Sequence, residues 1–194
     1  MILNALIQHH HFILHKPYGY LSQLINNQNK RKNKRLLGEL YDFPEGTMAI
    51  GRLDENSEGL LFLTTNGKVS ETIRSAKVEK EYFAQVDGII TEQAMQQLQE
   101  GVKIGINGTK YTTKPCKVRA VITVDDFPFA DRKVRDARHG PMSWVSITLT
   151  EGKFRQVRKM TAAVGYPTLR LVRVRIGDIL LKLKSGEIEK INAF

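Results

Sequence analysis

A single cysteine, a single tryptophan and only twenty acidic residues in 194 exclude a good deal before any motif is sought. With Cys116 alone the chain can build neither an internal disulfide framework nor a multi-cysteine metal site. No apolar run approaches the roughly eighteen residues that read as a membrane span. The opening MILNALIQHHHFIL is apolar but lacks a basic lead and a small-residue cleavage site, so no secretory signal is expected. Neither G-x-G-x-x-G nor G-x-x-x-x-G-K-[ST] occurs, which leaves a nucleotide-binding fold without motif support, and no internal repeat is visible. What the acids lack, the bases supply: thirty Lys and Arg give a net charge of +10 and a pI near 9.7. An excess of that size favours polyanionic partners, nucleic acid first among them.

Length and a 41% hydrophobic content suit one domain, expected over residues 1–194. Strand-like segments at 47–51, 60–64, 82–86, 144–150 and 169–175 outnumber the helical ones at 68–74, 91–101 and 154–164. Helices and strands do not alternate, so the expected class is α+β with a mixed, largely antiparallel sheet. Asn107-Gly108 marks a hairpin turn, and Thr91 and Gly101 bracket a helix as N-cap and stop. His9, His10 and His11 are adjacent, and neighbours in a strand point to opposite faces, so they do not converge on a metal. NNQNKRKNKR, residues 26–35, is a basic loop or arm, read either as a solvated face or as a phosphate-contacting segment.

Two regions carry residues suited to chemistry. In GRLDENSEG, residues 51–59, a core-facing Leu53 turns Arg52 and Asp54 together toward the opposite side, into a cleft. An aspartate held there keeps its charge only beside a cation or amide donors, so a partner arginine from elsewhere is expected. In EGKFRQVRKMTAAVGYPTLRLVRVRIG, residues 151–177, a helix from Phe154 places Arg155, Arg158 and Lys159 on one polar face. Arg170, Arg173 and Arg175 on the next strand read as a second basic stripe, the strongest nucleic-acid footprint in the chain.

Taken in order, Lys16-Pro17-Tyr18-Gly19, Gly51-Arg52-Leu53-Asp54, Ser57-x-Gly59-Leu60-Leu61, Tyr82, Arg155-Gln156-Val157-Arg158 and Gly165-x-Pro167-Thr168-Leu169 resemble one family. It is the RNA pseudouridine synthases that modify ribosomal RNA, in their small-subunit type A branch, with most likeness to the large-subunit enzymes of type E. The resemblance implies a mixed sheet with a central cleft between two subdomains, and isomerisation of a specific uridine in large-subunit (23S) ribosomal RNA to pseudouridine. It implies no cofactor and no metal. Asp54 falls on the family's catalytic aspartate, Tyr82 on the tyrosine that stacks on the target base, and Arg158 on the aspartate's partner. Arg52 is expected to hold the extruded nucleotide's phosphate and Ile147 to lie beneath the uracil. Lys16 and Arg155 are expected to bind substrate. Many relatives carry an N-terminal S4-type RNA-binding module, and only fifteen residues precede Lys16, so that module is expected to be absent. Recognition then falls to the surface of the catalytic domain, including Lys30 and Arg31 of the arm and Arg132, Arg135 and Arg138 of the loop before Trp144.

The chemistry suits these residue types. A carboxylate can attack the sugar at C1′ or take the C2′ proton, and the sequence does not choose between them. Tyr82 gives a flat face to a base out of its stack. The partner is expected to be ribosomal RNA, reached by a monomer in the cytoplasm without a membrane. Two other readings remain at this stage: a synthase acting on small-subunit or transfer RNA, and a non-catalytic RNA-binding assembly protein with the same basic face. A DNA-binding module has no motif in its favour.

Overall fold

The computed structural model describes residues 8–25, 33–75, 78–124, 127, 129, 132 and 134–194. In chain order the strands are β1 (His11–Lys16), β2 (Tyr20–Leu21), β3 (Arg35–Leu36), β4 (Met48–Ile50), β5 (Glu58–Thr64), β6 (Lys80–Asp87), β7 (Lys103–Ile106), β8 (Thr109–Thr112), β9 (Lys117–Val121), β10 (Met142–Leu149), β11 (Thr168–Ile176), β12 (Ile179–Leu180) and β13 (Ile188–Ile191). The helices are α1 (Gly67–Ser75), α2 (Glu92–Glu100) and α3 (Gln156–Ala163). None of the helices is long and apolar enough to cross a membrane.

One main sheet organises them in the order β13-β1-β5-β11-β6-β10-β9, with β4 on β5 and β12 on β11. Its pairings are antiparallel except β5 with β11. The class is therefore α+β, as expected. Elements pack on both sides of the sheet, which is why β5, EGLLFLT, is buried at every position and shows no alternation. Along β6 the alternation survives: Ala84 and Val86 face a core shared with α2 and α3, while Phe83 faces a second core with Phe62, Val172 and Ile176. Tyr82 falls on the α2–α3 side by parity.

Local chemistry accounts for the ends. Thr91 caps α2, its hydroxyl accepting from Ala94 N–H, and Gly101 stops it at φ 105°. Asn107 and Gly108, at φ 47° and 81°, make the two-residue turn between β7 and β8. Helix α3 starts two residues later than the sequence suggests, because Arg155 adopts a left-handed conformation, φ 52° and ψ 34°, and ends the preceding turn.

The second basic stripe is a misreading that burial explains. As a central strand β11 has no solvent face: Arg170 and Arg173 are each 3% exposed. Arg170 makes a two-pronged pair with Glu58 at 2.9 and 3.1 Å, and Arg175 pairs with Glu79 and Glu81. Arg170 and Arg175 tie the sheet together, and the three arginines do not form an outer face.

Candidate active site

The Asp54 segment crosses from β4 to β5 with its backbone clamped. Ser22 donates through Oγ to Leu53 O at 2.8 Å and accepts from Leu53 N at 2.9 Å. Ser57 N–H donates to Asp54 O at 3.0 Å. Leu53 is buried, so the residue before the carboxylate is anchored by packing as well. Ser22 escapes sequence reasoning, because an isolated serine thirty-one positions away carries no signal of a long-range clamp.

Lys16 belongs to the same scaffold, which corrects its assignment to substrate binding. It is 0% exposed, and its Nζ donates to Pro17 O at 2.8 Å, Tyr20 O at 2.6 Å and Glu55 O at 3.4 Å. With three carbonyls taken and no exposed surface, it fastens the 17–20 turn to the Asp54 loop. Burial lowers its pKa to about 8, against the pull of Glu58, Asp54 and Glu55. The sign follows from the unfolded chain keeping its proton up to the ordinary value of 10.5. Below about pH 8 both states are protonated and the buried charge weakens the fold in full; between 8 and 10.5 that loss is relieved. Relative to Lys16→Met, the wild-type protein is expected to gain on the order of 3 kcal/mol across that window. Urea unfolding of both proteins at several pH values measures it; parallel stability curves would contradict the assignment.

Opposite Asp54 stands the start of α3. Glu151 fixes the approach to it, accepting from Tyr111 Oη, Lys114 N and Gln156 Nε2. Burial opposes its charge, but these hydrogen bonds prevail and hold its carboxyl below the ordinary range. The left-handed Arg155 brings its Nη1 to 3.4 Å from Asp54 Oδ2, and Arg158 Nε lies 4.0 Å from the same oxygen. Arg158 is the more enclosed, its side chain 11% exposed, and it donates to Asn56 O at 2.6 Å, Ser57 Oγ at 3.3 Å and Thr168 O at 3.3 Å. Burial, then the charge of Arg155, lowers its pKa, while Asp54 opposes the shift. Two guanidiniums thus face one carboxylate, where the sequence suggested one partner.

Asp54, Glu151 and Arg155 line a cavity of about 610 Å³, a size suited to a small-molecule or nucleotide group, and Arg158 stands behind its wall. Tyr82, Leu149, Val157 and Leu171 give it apolar walls, and Arg52 reaches it as an exposed side chain with no ion pair among the described residues. Ile147 does not line it: it pairs across β6 with Tyr82 but is 0% exposed in the core beneath. Leu149, two residues on and therefore on the same face, takes the wall position instead. Phe154, 64% exposed, stands at the rim with Lys159 Nζ 5.1 Å from its ring centre. The sequence signal for it is an aromatic residue immediately before a basic helix face. Burial pushes the Cys116 thiol up to about 11, and its Sγ donates to Leu98 O at 3.2 Å.

The expected outer contacts fare unevenly. Lys30 and Arg31 lie outside the described residues. Arg132 lies 3.2 Å from Glu58 and over the face of Tyr18, 4.2 Å from its ring centre. Arg135 is paired with Asp87 and donates to Pro141 O. Both help to pin the loop before β10, since an intramolecular acid lies within reach of each. Arg138 is exposed, its side chain 87% accessible, and among the described residues it pairs only with Asp136 two residues back.

Comparison with known proteins agrees with this geometry. Residues 10–163 match the family model for RNA pseudouridylate synthases. The ribosomal large subunit pseudouridine synthase E of Xanthomonas axonopodis pv. citri is 41% identical over 168 residues, covering 86% of this chain and 85% of its own. The enzyme of the same name from Vibrio parahaemolyticus is 38% identical over 184 residues, covering 92% of this chain and 72% of its own. Both are named for the large subunit, so the small-subunit type A label does not stand. The crystal structure of a pseudouridylate synthase superposes with a TM-score of 0.74 at 28% identity, over 95% of this chain and 71% of the other.

Proposed function

The chain belongs to the RNA pseudouridylate synthase family and is an enzyme that isomerises uridine to pseudouridine; from that premise we propose that its substrate is one uridine of large-subunit ribosomal RNA and that Asp54 carries the reaction. The observation that supports the catalytic assignment most directly is the Asp54 carboxylate facing two arginines in a cavity walled by Tyr82. The target assignment is supported by the names of the relatives at about 40% identity.

The reaction cuts the N-glycosidic bond, turns the uracil and rejoins it to C1′ through C5; the C5 proton is released and N1 gains one. Asp54 acts at the sugar, on C1′ as a nucleophile or on the C2′ proton as a base. Arg155 and Arg158 orient the carboxylate so that one oxygen is presented, a two-pronged role for which guanidinium is better suited than ammonium. Tyr82 stacks on the extruded base, an interaction worth about 1–3 kcal/mol toward the cost of flipping it. Leu149, Val157 and Leu171 exclude water while the base is detached. Arg52 meets the phosphate of the flipped nucleotide.

We infer further that the protein works as a monomer in the cytoplasm, where ribosomal RNA is met; no heptad pattern in the sequence suggests a coiled-coil dimer. The test is pseudouridine mapping of total RNA from a strain lacking the gene, with and without the gene restored. One large-subunit uridine that loses its modification and regains it is the expected result. A site in transfer RNA or small-subunit RNA instead would overturn the target, and no site at all would overturn the substrate proposal.

A further inference from the structure

Beside the Asp54 cavity lies a second hollow of about 340 Å³, lined by Arg52, Arg74, Lys80 and Arg173, with Phe62 and Ile176 among its apolar walls. Arg52 and Tyr82 line both hollows, so the two adjoin. The cations come from four separate elements: the Asp54 loop, the last turn of α1, the first residue of β6 and the middle of β11. None of the four forms an ion pair among the described residues. The acid that lines the hollow, Glu151, has its carboxylate taken up by Tyr111, Lys114 and Gln156. Its neighbours Glu79 and Glu81 are engaged by Lys117, Arg119 and Arg175.

Arg173 is the telling member. It is 3% exposed, its Nε donates to Leu60 O at 2.7 Å, and its buried Nη2 has no partner among the described residues. A guanidinium N–H left unsatisfied in the interior costs stability, and a like charge beside it costs more. Lys80 is that like charge: half-buried, it donates to Val78 O at 3.0 Å, and burial followed by the field of Arg173 lowers its pKa. Cations gathered against their own repulsion, with no carboxylate among the described residues turned to them, are what an anion site requires in the free protein. The apolar walls distinguish it from a site for a bare ion, since a sugar ring can lie on Phe62 and Ile176.

We propose that this hollow binds the ribose-phosphate of an RNA nucleotide next to the one whose uracil enters the Asp54 cavity, with the phosphate toward Arg173, Lys80 and Arg74. A flipped nucleotide stays joined to its neighbours, so the strand must leave the first cavity, and a hollow that shares Arg52 and Tyr82 with that cavity lies within reach of it. Phosphate contacts of this kind set register and carry no sequence information. The proposal rests on the RNA-modifying reading above.

The experiment measures affinity of the full chain for an in-vitro transcript of large-subunit ribosomal RNA over a KCl series, together with pseudouridine formed in that transcript. The proteins are wild type, R74Q, the R74Q/K80Q double variant and K110Q, whose exposed lysine lines neither hollow. The double variant is expected to bind on the order of tenfold more weakly at low salt. Its log–log salt slope should be shallower by about 0.7, the value for one phosphate of a single strand. R74Q, whose side chain makes no hydrogen bond among the described residues, is expected to show part of the same change, and K110Q none. An unchanged slope in both R74Q and the double variant overturns the proposal, as does an equal change in K110Q. Failure of the wild-type protein to form pseudouridine in the transcript defeats the underlying reading instead, so the two failures are distinct.

Discussion

Asp54→Asn is expected to lower turnover by on the order of 10⁴-fold or more while RNA affinity stays within a few-fold of wild type. The amide is nearly the same shape as the carboxylate, and it still offers an oxygen to Arg155 and Arg158, which lie 3.4 and 4.0 Å from Oδ2. The loop itself should not move, because Ser22 and Ser57 hold its backbone and not the carboxylate. What is lost is the charge. An amide neither attacks C1′ nor takes a proton from C2′, so both routes stop at the first step. Removing a negative charge from a cavity entered by a polyanion can only favour binding through electrostatics, which makes a parallel loss of affinity incompatible with the assignment. Release of tritium from RNA labelled at uridine C5 reads the chemistry, since that hydrogen leaves when the base rejoins through C5; filter binding of the same RNA reads the affinity. Turnover within tenfold of wild type would remove Asp54 from the centre of the mechanism.

The chemistry was legible in the sequence to the extent that it is local. Arg52-Leu53-Asp54 presents its charged residues to one cavity because Leu53 is buried, a consequence of apolar and charged residues side by side. The helix ends at Thr91 and Gly101 and the Asn107-Gly108 turn were likewise written in single residues whose backbone preferences are strong. Partnership across the fold was not. Whether an arginine is a surface charge or an interior tie depends on where its strand sits in the sheet, and β11 lies between β5 and β6 at the centre. Arg170 and Arg175 therefore looked like part of an outer nucleic-acid face and proved to be internal connections, with Arg173 buried between them. Lys16 failed in the same way: a lysine in a turn looks solvated until three carbonyls are found to converge on it. Ile147 and Leu149 differ by one step of the pleat, and only the depth of the cavity distinguishes them.

The largest effect on stability is expected far from any reacting atom, at Gly59. This residue sits in β5, paired with Lys16 on β1 and with Arg173 on β11, at φ 107°. A Cβ added there would lie 2.3 Å from Arg173 O and 2.6 Å from Arg173 N. Both are backbone atoms of a packed central strand, so no rotamer change relieves the clash, and β11 has to move away from β5. That movement pulls on the Arg170–Glu58 pair and on the hydrogen bond from Arg173 to Leu60 O, which join the same two strands. Overpacking contributes about 1–3 kcal/mol, a left-handed backbone at alanine about 1–2, and the disturbed buried pair adds to both. Gly59→Ala is expected to cost at least about 4 kcal/mol, a large part of the roughly 5–15 kcal/mol that holds an ordinary domain. At this chain length that corresponds to a melting temperature lower by on the order of 10 °C, readable by calorimetry or circular dichroism. Gly67→Ala is the control: it opens α1 at an ordinary φ with nothing within 4 Å of a new Cβ, so it should be neutral or slightly stabilising. A Gly59→Ala protein melting within about 2 °C of wild type would mean that β5 and β11 separate without cost. Asp54, held on one side by the entry to β5 and faced on the other by residues leading into β11, would then lack the rigid frame that keeps its carboxylate between two arginines.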